Sequence, residues 1–229
     1  MKKFGFTLAE VLITLGVIGI IAATTIPTFV SSAQNKANAA KLSATITTLE
    51  TAFSNMMTDE GTSDIYEVIN AENNWGIDKL VNFLKITMKI DENTDIEEIV
   101  NTEAYPGLEE NYFAKTIDGE KFLTGSEFRS LILTAFITKN GNNIFLMDDK
   151  KVIIDTSKGN PNILGRDIFI FYLNEDGKLY PYGSKYLANM SDEYEYWKDS
   201  SKVDFACNDT KKGAGCTARL VENNFVVDY

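Results

Sequence analysis

Residues 5–30 read GFTLAEVLITLGVIGIIAATTIPTFV, a stretch whose one charged side chain is that of Glu10. From Val11 to Val30 it contains 20 residues and no charged side chain. As a helix this run is about 30 Å long, which matches the hydrocarbon thickness of a bilayer. The sequence therefore predicts a membrane-spanning helix, with the carboxylate of Glu10 at the edge of the hydrocarbon.

Two other structures share part of this pattern. A secretory signal peptide also begins with basic residues such as Lys2 and Lys3, but its apolar core is shorter and ends at small residues before the cleavage site. In this chain the small pair Ala22-Ala23 lies inside the apolar run. A buried core helix is the other alternative, but a helix that is apolar on every side is unusual in a domain of this size. A membrane span fits the run better than either alternative.

The same helix is predicted to continue well beyond the membrane. An apolar stripe then repeats with spacings of three and four residues, the period of a helix, at Leu42, Ile46, Leu49, Phe53 and Met56. Gly61 has the character of a C-cap residue, so we predict one helix from about Phe6 to about Glu60. Pro27 removes one backbone hydrogen bond and is expected to bend this helix where it leaves the membrane. We expect the stripe to pack on the chain's own sheet rather than in a groove of a partner.

Composition narrows the possible functions of the chain. Its 229 residues suit one domain of ordinary size plus an appended segment. With 22 Lys and Arg against 33 Asp and Glu the net charge is −11, and an acidic chain is a poor partner for nucleic acid. Histidine is absent, which removes the commonest general base and the usual zinc ligand. These features argue against nucleic-acid binding and against an enzyme.

The second half of the chain carries the signals of antiparallel strands. LILTAFIT and NIFLMD flank a turn at Asn140-Gly141 and predict a hairpin. One additional helix is predicted around residues 75–88. A long helix followed by antiparallel strands predicts an α+β fold, in which residues 61–229 form the globular part, called the head below. Further strands of the head are predicted at 151–155, 167–174 and 178–180.

The loop DTSKGNPNILGRD, residues 155–167, is rich in oxygen-bearing side chains that suit a hard cation such as calcium. The candidate ligands are Asp155, Asn160, Asn162 and Asp167. The loop does not follow the EF-hand pattern, because its glycine and the terminal glutamate are out of place. An ordinary strand connection containing proline and glycine is the preferred interpretation, and calcium binding is the alternative.

The stretch GFTLAEVLITLGVIGIIAATTIP resembles the N-terminal signature of type IV pilins and of the pseudopilins of type II secretion systems. The resemblance is dense over residues 5–30 and thin afterwards. In that superfamily a prepilin peptidase cuts after a glycine, here Gly5, and the amine of the new N-terminal residue, here Phe6, is methylated. The resemblance implies a leader at residues 1–5, a transmembrane part of the helix at 6–30 and an outer part at 31–60, with a pilin-like head.

The resemblance also implies a role for Glu10 in subunit assembly. In the superfamily this carboxylate meets the N-terminal amine of a neighbouring subunit, here that of Phe6, when subunits add to a filament. A charge left alone in a low-dielectric environment is costly, and pairing removes much of that cost. The implied partners are further copies of the chain and other pilin-like subunits, the prepilin peptidase, an inner-membrane assembly platform and membrane lipid.

Export bears on the two cysteines, because an exported head meets an oxidising compartment. Cys207 and Cys216 cannot complete a zinc site without histidine, so a disulfide is favoured over two free thiols. Many pilins carry a disulfide-closed loop near the C-terminus, and the resemblance implies the same here.

The function predicted from the sequence is that of a prepilin-like or pseudopilin subunit. It is expected to sit in the inner membrane as a single-pass protein with its head outside, and then to polymerise into a type IV pilus or a type II secretion-type filament. The alternative is a membrane-tethered extracytoplasmic binding module that uses the helix only as an anchor. Aromatic residues could then line a ligand surface, although packing is their commoner role; they are Tyr180, Tyr182, Tyr186, Tyr194, Tyr196 and Trp197.

Overall fold

The computed structural model describes residues 7–70, 82, 113–122, 128, 130–138, 141–147, 150–157, 162–190, 196–199, 206–208 and 213–229. Gly5, Phe6, Asn160 and Tyr194 lie outside these residues, and so does the helix predicted at 75–88 apart from one residue. The predictions that concern them are therefore not addressed by the fold.

A single helix, α1, extends over 53 residues, Leu8–Glu60. It begins at the N-cap residue Thr7 and ends at Gly61. The backbone of Gly61 is left-handed, with φ 68°, which lets its N–H bond back to carbonyls in the last turn of the helix. The long helix predicted from the sequence is thus confirmed. It continues through Pro27, so this proline does not end it.

The two halves of α1 have different surroundings. Up to residue 38 no described side chain of the helix is buried, and Leu15 and Phe29 are 61% and 76% exposed. Among the described residues, α1 is the one helix long and apolar enough to cross a membrane. Its second half buries one face against the sheet, as the apolar stripe predicted, through Ala39, Leu42, Thr45, Leu49, Ala52, Phe53 and Met56.

The head contains a five-stranded antiparallel sheet in which every strand pairs with its neighbour in sequence. Its strands are β3 Ile132–Ile137, β4 Asn143–Met147, β5 Lys151–Asp155, β6 Ile168–Leu173 and β7 Leu179–Pro181. A two-stranded antiparallel ladder precedes it, formed by β1 Ala114–Lys115 and β2 Lys121–Phe122. The described residues include the short helices α2 Ile65–Asn70, α3 Lys185–Met190 and α4 Cys216–Glu222. The predicted hairpin and the three further strands are confirmed to within about two residues.

Both faces of the five-stranded sheet are buried. In β6, Phe169 belongs to the core beside α1, whereas its neighbour Ile170 belongs to a second core on the opposite face. Phe113 and Phe128 pack in that second core with their ring centroids 3.7 Å apart. Apolar residues occupy successive positions within β4, β5 and β6 because both faces of these strands are covered. The architecture is the predicted α+β fold, a long N-terminal helix on an antiparallel sheet.

We expect Phe53→Ala to lower the free energy of unfolding of the head by about 3–5 kcal/mol, because a fully buried ring leaves a cavity between α1 and the sheet. Phe29→Ala is the matched control, since it is the same substitution in the same helix at a side chain that is 76% exposed. Urea unfolding of the full-length protein in detergent, followed by tryptophan fluorescence, measures both effects. Equal destabilisation by the two substitutions would contradict the division of α1 into an uncovered and a packed half.

Candidate functional site

The N-terminal end of α1 is closed by two residues that hydrogen-bond each other reciprocally. The Oγ1 atom of Thr7 accepts a hydrogen bond from the backbone N–H of Glu10 at 3.3 Å. In return Oε2 of Glu10 accepts hydrogen bonds from the backbone N–H and from the hydroxyl of Thr7, both at 2.8 Å. This arrangement is a capping box. It satisfies two backbone N–H groups at the start of the helix.

The capping box gives Glu10 a partner within its own chain. Its carboxylate lies at the N-terminus of the helix, where the helix dipole stabilises a negative charge. From the sequence, Glu10 is expected only to pair with the amine of Phe6, and the cap is not predicted. The signal was present, because Thr7-Leu8-Ala9-Glu10 has a threonine followed three residues later by a glutamate, which is the capping-box pattern.

Apolar side chains surround the capped end. Between residues 7 and 35 Glu10 is the sole charged residue. Leu8 is 80% exposed, and Leu12 and Ile13 are 62% and 67% exposed. An apolar surface of this extent is stable only against lipid or against another protein. Because Phe6 lies outside the described residues, pairing of its amine with Glu10 stays a prediction.

Threonine hydroxyls in the uncovered half of α1 are satisfied by the helix itself. Thr14 donates to the carbonyl of Val11 at 2.9 Å, and Thr25 donates to the carbonyl of Ile21 at 2.8 Å. These bonds allow a polar side chain to lie in hydrocarbon without water. The bend expected at Pro27 stays a prediction.

Comparison with known proteins identifies the N-terminal segment. Residues 1–26 match a family model described as the prokaryotic N-terminal methylation motif. This motif is the hallmark of the prepilin-type signal of type IV pilins and pseudopilins. No curated protein and no solved structure matches the chain. The chain therefore carries a prepilin-type N-terminus on a pilin-like α+β fold, and the resemblance noted in the sequence is confirmed.

The methylation motif has two further implications. It indicates a structural subunit rather than an enzyme. Together with the uncovered apolar half of α1, it is consistent with anchoring in a membrane.

The C-terminal part of the head is fastened by a disulfide and by one arginine. Cys207 and Cys216 form the disulfide, as favoured from the sequence. The guanidinium of Arg219, within α4, donates to the carbonyl of Cys207 at 2.8 Å. Its Nε atom lies 2.8 Å from Oδ1 of Asp228, forming a salt bridge. Residues on both sides of α4 are thereby tied to it.

The candidate calcium ligands Asp155, Asn162 and Asp167 are all buried. Oδ1 of Asp155 accepts a hydrogen bond from the N–H of Ser157 at 2.9 Å, and Oδ1 of Asp167 accepts one from the N–H of Ile163 at 2.5 Å. Within the described residues no group of three or more His, Cys, Asp or Glu side chains is arranged to hold a metal ion. The hydrogen bonds support the strand-connection interpretation, and calcium binding stays a prediction.

Asp167 has an unusual proton affinity. Burial raises the pKa of its carboxyl to about 7, and the nearby charge of Asp155 also raises it, whereas hydrogen bonds from Ile163 and Ser157 act in the opposite direction. The ordinary value is 3.8, so the folded state binds this proton more tightly than the unfolded chain does. The stability that the protonated carboxyl contributes is therefore present at low pH and is lost as the pH rises from about 4 to about 7.

Those of the aromatic residues proposed for a ligand surface that the structure describes pack against one another and against the head. Tyr180 and Tyr186 stack with their ring centroids 3.7 Å apart, Tyr182 packs against the second core, and Tyr196 lies edge-on to Trp197. These contacts are those of ordinary packing. Nothing in the described part of the chain favours a ligand surface there.

We expect Asp167→Asn to change the pH dependence of head stability. The variant cannot ionise at this position, so it should not lose the stability that the wild type loses between about pH 4 and pH 7. The free energy of unfolding of the variant minus that of the wild type should rise by up to about 1.4 kcal/mol per pH unit in this window. Urea unfolding of both proteins in detergent at several pH values measures the difference. A difference that does not vary with pH would show that the pKa of Asp167 is not raised.

The same two proteins test calcium binding. If an ion binds between Asp155 and Asp167, millimolar calcium at pH 7.5 should raise the melting temperature of the wild type and leave that of Asp167→Asn unchanged. Magnesium is the control, because it requires a stricter octahedral set of ligands. Equal melting temperatures with and without calcium would rule out the site.

Proposed function

We propose that this chain is the precursor of a filament subunit of the type IV pilus or type II secretion kind. Before assembly the first half of α1 holds the mature subunit in the inner membrane as a single-pass protein, with the head outside. The observation that carries the proposal is the N-terminal methylation motif at residues 1–26, which continues into the 53 residues of α1.

The uncovered half of α1 supports assembly as well as anchoring. Leu12, Ile13, Leu15 and Val17 point in different directions around the helix and are all more than half exposed, at 62%, 67%, 61% and 52%. An amphipathic helix needs one apolar neighbour, whereas this surface needs apolar surroundings on every side. Lipid supplies them in the membrane, and the same helices of other subunits supply them in the interior of a filament.

Processing creates the positive charge with which the carboxylate of Glu10 pairs during assembly. Cleavage after Gly5 by a prepilin peptidase leaves Phe6 as the N-terminal residue, and methylation keeps its amine cationic. In the isolated subunit the carboxylate of Glu10 is held by Thr7. A carboxylate accepts up to about four hydrogen bonds, so it can keep the cap and accept the amine of a neighbouring subunit as well. An inner-membrane assembly platform is the partner that adds subunits to the filament.

Substitutions at Glu10 and Thr7 separate capping from charge pairing. Glu10→Gln keeps an oxygen that can complete the capping box but removes the charge. Thr7→Ala removes the capping hydroxyl at a cost of about 1 kcal/mol in helix stability but keeps the charge. We expect Glu10→Gln to be cleaved and held in the membrane yet to be absent from filaments, and Thr7→Ala to assemble. Glu10→Ala, which lacks both interactions, should also fail to assemble.

Mass spectrometry of the membrane fraction and of sheared filaments measures both steps. Mature chains should begin at N-methylated Phe6, and the ratio of filament to membrane protein reports assembly. Thr14→Ala is the matched control, because it removes a hydroxyl that bonds only within the helix. An N-terminus between residues 22 and 32 would instead indicate an ordinary secretory signal. Normal assembly of Glu10→Gln would refute charge pairing, and failure to find the chain in any filament would favour the tethered binding module.

A further inference from the structure

A groove of about 920 Å³ lies between α1 and the C-terminal segment, residues 224–229. One wall is formed by α1 between Pro27 and Ser43. The other includes Phe225 and Val227 of the C-terminal segment, and Arg166 also lines the groove. The groove therefore begins in the uncovered half of α1 and continues along the half that packs on the head.

The end of the groove nearest the apolar run lies at the depth of lipid headgroups when α1 spans a membrane. The predominantly apolar run ends at Val30; Ser31 and Ser32 on the groove follow it directly, and Lys36 is the first charged residue after it. At a rise of about 1.5 Å per residue, Lys36 is about 9 Å beyond Val30 along the helix axis. The polar layer on each side of the hydrocarbon is about 5–8 Å thick, and a lysine side chain can extend several ångströms back into it.

The charged side chains that line the groove are positive, whereas the chain as a whole is acidic. Its lining contains the cations of Lys36 and Arg166 and no Asp or Glu, although the net charge of the chain is −11. In the described part of the chain neither cation forms a salt bridge, and Nε of Arg166 is buried without a hydrogen-bond partner. Leaving a buried N–H of a charged group unpaired costs free energy, so the groove favours an incoming anion.

The C-terminal wall is held in place while part of its apolar surface stays accessible. Phe225 has a left-handed backbone, with φ 62°, and its N–H bonds to the carbonyl of Leu220 at 2.8 Å. Asp228, the acidic residue of this segment, forms a salt bridge with Arg219 and is not part of the lining. Val226 lines the groove and is 59% exposed. Cations next to a fixed apolar wall match a molecule with an anionic headgroup and an apolar tail.

We propose that this groove binds one anionic phospholipid of the membrane that α1 spans. The phosphate lies between Lys36 and Arg166, where the hydroxyls of Ser31 and Ser32 can donate to its oxygens, and the upper acyl chains lie along Phe225. A second copy of the chain fits less well, because it would have to bring an unpaired carboxylate to the membrane surface. The proposal rests on anchoring by α1 and is independent of filament assembly.

Native mass spectrometry of the full-length protein in a neutral detergent tests the proposal. The protein is titrated with phosphatidylglycerol, phosphatidylcholine or inorganic phosphate, and the bound ligand and the melting temperature of the head are recorded. We expect phosphatidylglycerol alone to bind and to raise the melting temperature. Lys36→Gln combined with Arg166→Gln should weaken its binding about 30-fold and Lys36→Gln alone about fivefold, as expected for two and one basic side chains near a membrane surface.

Lys178→Gln combined with Lys185→Gln is the matched control, because it removes the same number of charges at exposed positions outside the groove. Equal weakening by the two double variants would show that binding follows net charge alone and would overturn the proposal. Equal binding of phosphatidylcholine would overturn it too, and an equal response to inorganic phosphate would identify a free-phosphate site instead. Loss of self-association in lipid-free detergent on changing Lys36 and Arg166 would assign the groove to a second copy of the chain.

Lys36→Gln keeps the test decisive if the double variant fails to fold. Lys36 is exposed, so its replacement does not disturb the core of the head. Unchanged binding of phosphatidylglycerol to this folded variant would contradict the placement of the phosphate. Failure here would leave the filament proposal standing, since assembly is measured separately through Glu10.

Discussion

The structure depends on a mismatch between the length of α1 and the size of the head. A helix of 53 residues is about 80 Å long, and the rest of the described chain buries side chains of α1 only from Ala39 onward. The first half must therefore find apolar surroundings outside its own chain. This requirement explains why residues 11–35 carry no charge and why threonine hydroxyls in this half donate to carbonyls of the same helix.

The beginning of α1 shows how the chain meets a second requirement. A helix that starts near hydrocarbon has backbone N–H groups that no preceding turn can satisfy. Thr7 and Glu10 satisfy two of them, and the carboxylate that does so is the residue whose charge the proposed assembly uses. The carboxylate of Glu10 is therefore already hydrogen-bonded within its own chain, by Thr7. The subunit has a stable arrangement of its own at this end of the helix, and the proposed docking would add an interaction to it.

Local sequence signals predicted the long elements well. The uncharged run, the stripe from Leu42 to Met56 and the glycine at 61 each act through neighbours within a few residues, so α1 could be predicted almost to its ends. The strands were predicted for the same reason, because alternating or continuous apolar runs bounded by turns do not depend on distant residues. The disulfide followed from two cysteines with no competing ligand.

The features that the sequence did not predict depend on contacts between distant segments. Phe113 and Phe128 pack in the second core, on the face of the sheet opposite α1. No periodic pattern in the sequence predicts that contact. The raised pKa of Asp167 arises from burial, which the local sequence of a loop does not reveal. The groove combines Lys36 with residues more than a hundred positions away. The capping box is the exception, because the spacing of Thr7 and Glu10 is a local pattern.

The order of strands in the sheet has a consequence for how the head opens. Because each strand pairs with its neighbour in sequence, the sheet forms through connections between successive strands, the longest of which is residues 156–167. The C-terminal segment is different. It lies beside α1 although the two are at opposite ends of the sequence, and it takes no part in the described strand pairs. We therefore expect residues 224–229 to detach from α1 at a lower free energy than global unfolding, while the five-stranded sheet stays intact. Such local opening would remove one wall of the groove and leave the packed half of α1 on the sheet.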